Sequence, residues 1–363
     1  MKVMILALAL LMSAAPTYAQ LGGLGNTLKK VQEQKQRLDD LTISEAEERQ
    51  IGEDVSAKIR QRFGVAQDPA IHKYVTLVGM TLAKESERPN LNWTFIVLDT
   101  EGVNAFASPG GLVHITRGAL GLATNEAELA GVLGHEIGHV VRKHTVNAIK
   151  KSNAVKMGSE AAGSRSAILS NLANRAYEMV LENNFDRGDE LDADRVGVAL
   201  TLKAGYAGKA LGDFLTSLND RNKNQTERNG LFASHPEIRE RITKITQQAS
   251  ASKAAALVEA RYKSNVKYEV PAIASIAVVT EGSAGLAGSS KEEPKKEEPK
   301  KKGFGLGGLK QTVAPEKQSE QVSASGGARG LGADRAAKGG SNSNLVTASV
   351  TTAELATFKQ GIS

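Results

Sequence analysis

The side chains best suited to chemistry lie in residues 135–139, which read His-Glu-Ile-Gly-His. Helix positions four residues apart lie on one face, so His135 and His139 can bind one zinc ion from the same side. Glu136 would then project beside the remaining coordination position, where a carboxylate can take a proton from a water molecule. The spacing therefore predicts one zinc ion per chain, with Glu136 as the general base.

The segment that carries this motif is predicted to be a central helix beginning near Asn125. Asn125 is a good N-cap, and Glu128 follows three residues later, as in a capping box. Aliphatic side chains cover most of the helix circumference, namely Leu129, Val132, Leu133, Ile137, Val140 and Val141. Histidines that merely pack are the alternative, but buried polar groups without partners are costly, and a metal ion removes that cost.

A third ligand must come from outside this helix. The longer motif with a glycine and a third histidine is excluded, because those positions hold Arg142 and Thr145. His144 lies five residues after His139 and points to a different face of the helix. A carboxylate from a later helix is therefore expected.

That carboxylate is predicted to be Glu190. Glu190 and Asp194 lie one turn apart on the same face of a predicted helix that ends at Gly205. The natural assignment places Glu190 on zinc and makes Asp194 the acceptor of a hydrogen bond from a ligand histidine. Asp189 and Asp192 are the competing candidates for the ligand role.

Two short runs rich in β-forming residues precede the helix, at 93–98 and 112–116. Asn-Ala-Phe-Ala at 104–107 and a Ser-Pro-Gly-Gly turn at 108–111 separate them. We expect an α+β fold that is mostly helical, with a small β-sheet next to the helix of the His-Glu-x-x-His motif. The strand at 112–116 is expected to be an open edge that pairs with an extended substrate.

The chain is expected to consist of a signal peptide (1–19), a flexible or helical segment (20–44), a globular domain (45–262) and a low-complexity tail (263–363). A lysine, an apolar run and a small–x–small ending predict the cleavable signal peptide, and hence a periplasmic location. The Lys/Glu/Pro and Gly-rich tail is predicted to be largely disordered, with a short helix near 352–359.

The amino-acid composition limits the kinds of partner that the chain can bind. The net charge is +6, but the charges are interleaved along the chain, so nucleic-acid binding is not expected. Cysteine is absent, which excludes disulfides and a lipid-modified N-terminal cysteine. Peripheral contact of the tail with a membrane or the cell wall is left open.

The order of the motifs resembles the gluzincin zinc metalloproteases of the CaaX prenyl protease, HtpX, Oma and BepA type, specifically the soluble periplasmic branch. The matching segments are residues 104–107 with 109–111, 126–139, 190–195, 204–206 and 234–236. The resemblance implies a zincin-like fold and agrees with Glu190 as third ligand. It also implies that His235 lies at the cleft, where it would polarise the scissile carbonyl or cap the zinc. Asn104 would bind the substrate carbonyl or main chain, and His144 matches a family histidine to which we assign no chemistry.

Taken together, the residues and the resemblance predict a zinc-dependent endopeptidase of the bacterial envelope. Its expected substrates are misfolded or misassembled envelope proteins, because pairing through the main chain reads little side-chain identity. The alternative is a chaperone-like binding protein with latent or weak protease activity. The intact His-Glu-x-x-His motif favours the enzyme.

Overall fold

The computed structural model describes residues 42–153, 164–182, 185–222, 238–250, 252, 256–269 and 339–362. The chain divides into two compact units, and residues 43–149 and 163–363 form the larger one. The other unit, residues 1–42 and 150–162, lies almost wholly outside the described residues. The predicted signal peptide also lies outside them.

The described part of the chain contains eleven helices and three strands, in agreement with the predicted, mostly helical α+β class. In chain order these are α1 (Glu45–Phe63), α2 (Pro69–Ala83), β1 (Thr94–Leu98), β2 (Ala105–Ser108), β3 (Leu112–Thr116), α3 (Arg117–Leu122), α4 (Glu126–Val141), α5 (His144–Asn153), α6 (Arg165–Glu182), α7 (Arg187–Lys203), α8 (Ala210–Asn222), α9 (Ile238–Ala249), α10 (Glu259–Asn265) and α11 (Thr352–Gln360). None of these described helices combines the length and the apolar character needed to cross a bilayer.

The three strands form one sheet in the order β1-β3-β2. β3 is parallel to β1 and antiparallel to β2, so hydrogen bonds flank it on both sides. The prediction that this strand is an open edge is therefore wrong. The turn explains why: Gly110 and Gly111 have positive φ values of 72° and 94°, which fold β2 back onto β3. β2 becomes an edge strand instead.

Helix α4 is the central element, as predicted, and all of its residues are buried. Its N-cap is Asn125, whose side chain accepts a hydrogen bond from the Glu128 amide at 3.0 Å. The Glu128 carboxylate reaches back to the amide of Thr124 at 2.9 Å, one residue earlier than the capping box requires. These bonds fix where the helix starts, and so where its histidines point.

The C-terminal part of the chain extends the domain further than its predicted boundary at residue 262. Helix α10 spans that boundary, and its Tyr262 side chain is buried in the core. Residues 339–362 are described and contact the domain, and the short helix expected near 352–359 is present as α11. Most of the tail predicted to be disordered, residues 270–338, lies outside the described residues.

Candidate metal centre

Three donor groups converge between α4 and α7. The Nε2 atoms of His135 and His139 are 3.1 Å apart. Glu190 places Oε1 3.4 Å from His139 Nε2 and Oε2 3.7 Å from His135 Nε2. All three side chains are at most 3% exposed. Within the described residues, they form the one group of three or more His, Cys, Asp or Glu side chains arranged closely enough to hold a metal ion.

These distances suit a tetrahedral ion. Zinc–nitrogen bonds of about 2.0–2.1 Å at tetrahedral angles separate two donor atoms by about 3.3–3.4 Å. The three separations, 3.1, 3.4 and 3.7 Å, lie on either side of that value. Two imidazoles and one carboxylate also leave the fourth tetrahedral position to a non-protein ligand, as catalytic zinc sites require. The residues present therefore fit a zinc ion.

Close packing of α4 against α7 brings Glu190 to the histidines. A Cβ atom on Gly197 would lie 2.7 Å from the His135 amide nitrogen, and one on Gly138 would lie 2.8 Å from the Ala193 carbonyl oxygen. Larger side chains at these positions would force the helices apart, because interiors are close-packed. α7 begins at Arg187, so Glu190 lies in its first turn.

The second ring nitrogen of His135, Nδ1, is held by a hydrogen bond. Its Nδ1 lies 2.8 Å from Asp194 Oδ1, where the sequence placed the acceptor for a ligand histidine. That contact assigns the hydrogen to Nδ1 and turns the Nε2 lone pair towards the other donors. Burial, aided by the facing Arg241 cation, lowers the pKa of His135 to about 3. A neutral imidazole is the form that binds metal.

Arg241, on α9, ties the two acids of the site together. It donates two hydrogen bonds to Asp194, at 2.7 and 2.8 Å, and its Nη1 lies 2.9 Å from Glu190 Oε2. Burial opposes ionisation of Asp194, but the Arg241 charge outweighs it and lowers the pKa of Asp194 to about 2. Arg241 therefore holds Asp194 as an anion and also pairs with Glu190, an arrangement that the sequence reasoning did not anticipate.

His144 supports the second ligand. Its Nδ1 lies 3.0 Å from His139 Nδ1, and its Nε2 lies 3.5 Å from Asp192. If His139 binds a metal through Nε2, its Nδ1–H donates to His144, whose own hydrogen then points to Asp192. The Phe185 ring lies against the His139 ring, with centroids 4.3 Å apart and planes inclined by 34°. His144 lies on α5, which brings it back towards α4 after the intervening turn.

Glu136 lies on α4 next to His135 and is 1% exposed. Burial raises the pKa of Glu136 to about 7, with the His139 charge opposing the rise and the Glu190 charge adding to it. A carboxyl group with a pKa near neutrality can both accept and return a proton, as a general base needs to do. The sheet approaches the same region, since Ala107, Ser108 and Pro109 line one cavity with His139.

The remaining candidate site residues are Asn104, Asp189, Asp192 and His235. Asn104 precedes β2; its Oδ1 accepts a hydrogen bond from the Ala105 amide, and its main chain pairs with Thr116. Its predicted role in binding substrate stays a prediction. Asp189 and Asp192, the competing ligands, lie near His144 rather than within the group of three donors. His235 falls outside the described residues.

The comparisons agree with this geometry. The family model described as peptidase family M48 matches residues 69–249, which contain the whole donor group. The chain therefore carries a peptidase family M48 domain. This matches the gluzincin family to which the sequence motifs pointed.

Several curated proteins resemble the chain over this region. A putative beta-barrel assembly-enhancing protease of Vibrio cholerae is 28% identical over 53% of this chain and 42% of its own length. The mitochondrial metalloendopeptidase OMA1 of Arabidopsis thaliana is 28% identical over 49% of this chain and 40% of its own. Metalloprotease YcaL of Escherichia coli is 28% identical over 58% of this chain and 84% of its own. The chain spans less than half the length of the first two relatives.

Arg241 is the site residue that the sequence reasoning missed, although a signal for it exists. Buried Ile238 and Ile245, with the partly buried Ile242, mark the face of α9 that packs on the core. Arg241 lies on that face, three residues after Ile238, where a charge needs a buried partner. In the structure the partners are Asp194 and Glu190.

Proposed function

We propose that this chain is a zinc-dependent endopeptidase in which His135, His139 and Glu190 hold the metal. The observation that carries the proposal is the set of donor separations, 3.1–3.7 Å, in a fully buried site built on a His-Glu-x-x-His helix. The M48 match over residues 69–249 and relatives named as metalloproteases support it.

The residues around the metal divide the work of peptide-bond hydrolysis. A zinc ion in such a site supplies Lewis acidity towards a water molecule and a carbonyl oxygen. Glu136 takes the proton from the attacking water and returns it to the departing amine, for which a pKa near 7 is suitable. Asp194 and His144 hold the two histidine rings by their Nδ1 atoms, which leaves both Nε2 atoms available to a metal ion.

We further propose that the enzyme acts on misfolded or misassembled proteins of the bacterial envelope. Support comes from the apolar leader at residues 1–19, which is typical of a secretory signal, and from relatives named beta-barrel assembly-enhancing protease. Those relatives are longer than this chain, so their partners need not be shared. His235 and Asn104 are proposed to contact the substrate at the cleft, by resemblance to the family.

The proposal is tested with Glu136→Gln. The variant is nearly isosteric, so it should keep one zinc per chain and lose casein cleavage by at least about a thousandfold, since both proton transfers are lost. A chelator should abolish the cleavage by the parent chain, and zinc should restore it. Cleavage that persists in Glu136→Gln, or that ignores the chelator, excludes this mechanism. Metal-loaded protein that only binds unfolded chains would instead indicate the chaperone-like alternative.

A further inference from the structure

The last described part of the chain docks onto the domain although a long low-complexity stretch precedes it. We call residues 339–362 the C-terminal strap. It consists of an extended stretch followed by helix α11 (Thr352–Gln360). Residues 270–338, which join it to the domain, include the Lys/Glu/Pro repeat and much of the glycine.

The domain recognises the extended stretch through its main chain. The Val65 amide donates to the Asn342 carbonyl at 2.6 Å, and the Gly340 amide donates to the Asp99 carbonyl at 2.8 Å. Two side chains of the domain add hydrogen bonds to strap carbonyls, from Arg60 to Ser343 at 2.8 Å and from Gln67 to Asn344 at 3.1 Å. Such pairing is the mode by which a folded domain binds an extended peptide.

Glycine is required where the strap enters this site. A Cβ atom on Gly339 would lie 1.9 Å from the Phe63 carbonyl oxygen, a main-chain atom that cannot swing aside. Gly64, with φ +68°, faces Gly340 in turn, and a Cβ on it would lie 2.3 Å from the Gly340 carbonyl oxygen. Gly64 and Gly339 thus let two main chains meet, so the fit depends on sequence.

Helix α11 supplies the side-chain anchors. Lys73 pairs with Glu354 at 2.7 Å, and the Phe358 ring lies 3.9 Å from the Arg261 guanidinium. Arg261 also donates to the Phe358 carbonyl at 3.0 Å. Beyond the helix, Ile362 is 2% exposed and belongs to the hydrophobic core. None of the contacts described here involves the donor residues of the metal centre.

We propose that the domain carries a peptide-binding site for its own C-terminal strap, separate from the metal centre, and that the strap is a separable ligand bound in cis. The ligand class is an extended Gly-Gly peptide followed by a short capped helix with an aromatic anchor and a terminal aliphatic one. The connecting segment raises the local strap concentration, to at most about 1 mM, so a modest affinity keeps the site filled.

The test cuts the linker in the complete chain. A recognition sequence for a site-specific protease is inserted between Lys302 and Gly303, and the cut protein is passed over a sizing column at several concentrations. The strap fragment should co-elute with the domain at high concentration and separate on dilution. Gly339→Ala should weaken its retention about tenfold or more, because the added methyl group meets main chain. The matched control Gly332→Ala, seven residues earlier, should leave retention unchanged.

A charge swap between Lys73 and Glu354 tests whether the strap binds at the position that the structure shows. Lys73→Glu and Glu354→Lys should each weaken retention about two- to fivefold, as expected for an exposed ion pair, and the double variant should restore it. Lys209→Glu, on a similar exposed pair with Asp213, is the control. In the uncut chain, Gly339→Ala should also speed hydrogen exchange at the Val65 amide, which reports on docking even if the cut protein unfolds.

Three results would overturn the proposal. The fragments could separate at every concentration, which means that there is no site. Gly339→Ala could bind and protect the Val65 amide as the parent does, which means that the strap is held elsewhere. Labelled straps could exchange between uncut chains to form dimers, which means that the ligand is bound in trans.

Discussion

Arg241 is a buried cation between two acids of the metal centre, so replacing it with methionine should destabilise the metal-free protein more than the zinc-loaded protein. Its guanidinium makes three contacts of 2.7–2.9 Å with Asp194 and Glu190. Removing one partner of a buried ion pair costs about 3–5 kcal/mol, because the remaining charge is left uncompensated. For a domain of this size that is a fall in Tm of roughly 6–20 °C.

Zinc should reduce this loss. A divalent cation beside Glu190 replaces part of the charge that Arg241 supplied, so the metal-loaded variant should lose less stability than the metal-free one. Thermal unfolding of both proteins, with chelator and with zinc, measures the difference.

The control for this experiment is Arg239→Met on the same helix, because Arg239 is exposed and its replacement should change stability by no more than about 0.5 kcal/mol. Arg241→Lys keeps the charge but loses the bidentate geometry, so it should recover only part of the stability. If Arg241→Met loses less than about 1 kcal/mol without metal, or the same amount with and without zinc, then Arg241 does not balance the charge of these two acids.

The other predictions concern the supports of the site. Asp194→Asn should weaken zinc binding about 10–100-fold in a competitive chelator titration, because the amide supports His135 less well than the carboxylate. His144→Ala should weaken zinc binding by about tenfold, since His139 Nδ1 loses its partner; an unchanged affinity would remove His144 from the site. Gly197→Ala should raise the zinc Kd and lower stability by about 1–3 kcal/mol, because the methyl group forces α7 away from α4; Ala199→Gly, on the same helix, should leave the zinc Kd unchanged. Glu48 is buried against Arg88 and Lys143, and their charges outweigh burial and hold the pKa of Glu48 below its usual range. The stabilisation from this ion pair is present above about pH 4.5 and is lost as the pH falls through the lower, folded-state pKa. Glu48→Gln should therefore flatten the acid limb of unfolding free energy measured by urea against pH, and an unchanged limb would contradict the assignment.

Local patterns in the sequence were sufficient for the parts of the site that lie on one helix. The i, i+4 spacing of His135 and His139 and the cap at Asn125 depend only on neighbours along the chain, and the structure has both as predicted. The helix period likewise put Glu190 and Asp194 on one face, and the donor atoms lie accordingly.

Features that depend on tertiary contacts could not be predicted in this way. Which strand lies at the edge of the sheet depends on how β1, β2 and β3 pair, and hydrophobic alternation alone does not encode strand order. The approach of Arg241 requires α9 to pack against α7, and that of His144 requires α5 to turn back. Docking of residues 339–362 depends on main-chain fit at Gly64 and Gly339, which no composition measure of a low-complexity tail reveals.

X-ray diffraction at the zinc absorption edge, on crystals of the purified full chain, would show whether zinc occupies the site. We expect one anomalous peak per chain, about 2.0–2.2 Å from His135 Nε2, His139 Nε2 and a Glu190 carboxylate oxygen. No peak at this position in crystals grown with zinc, or a peak bound by Asp189 or Asp192 in place of Glu190, would contradict this expectation.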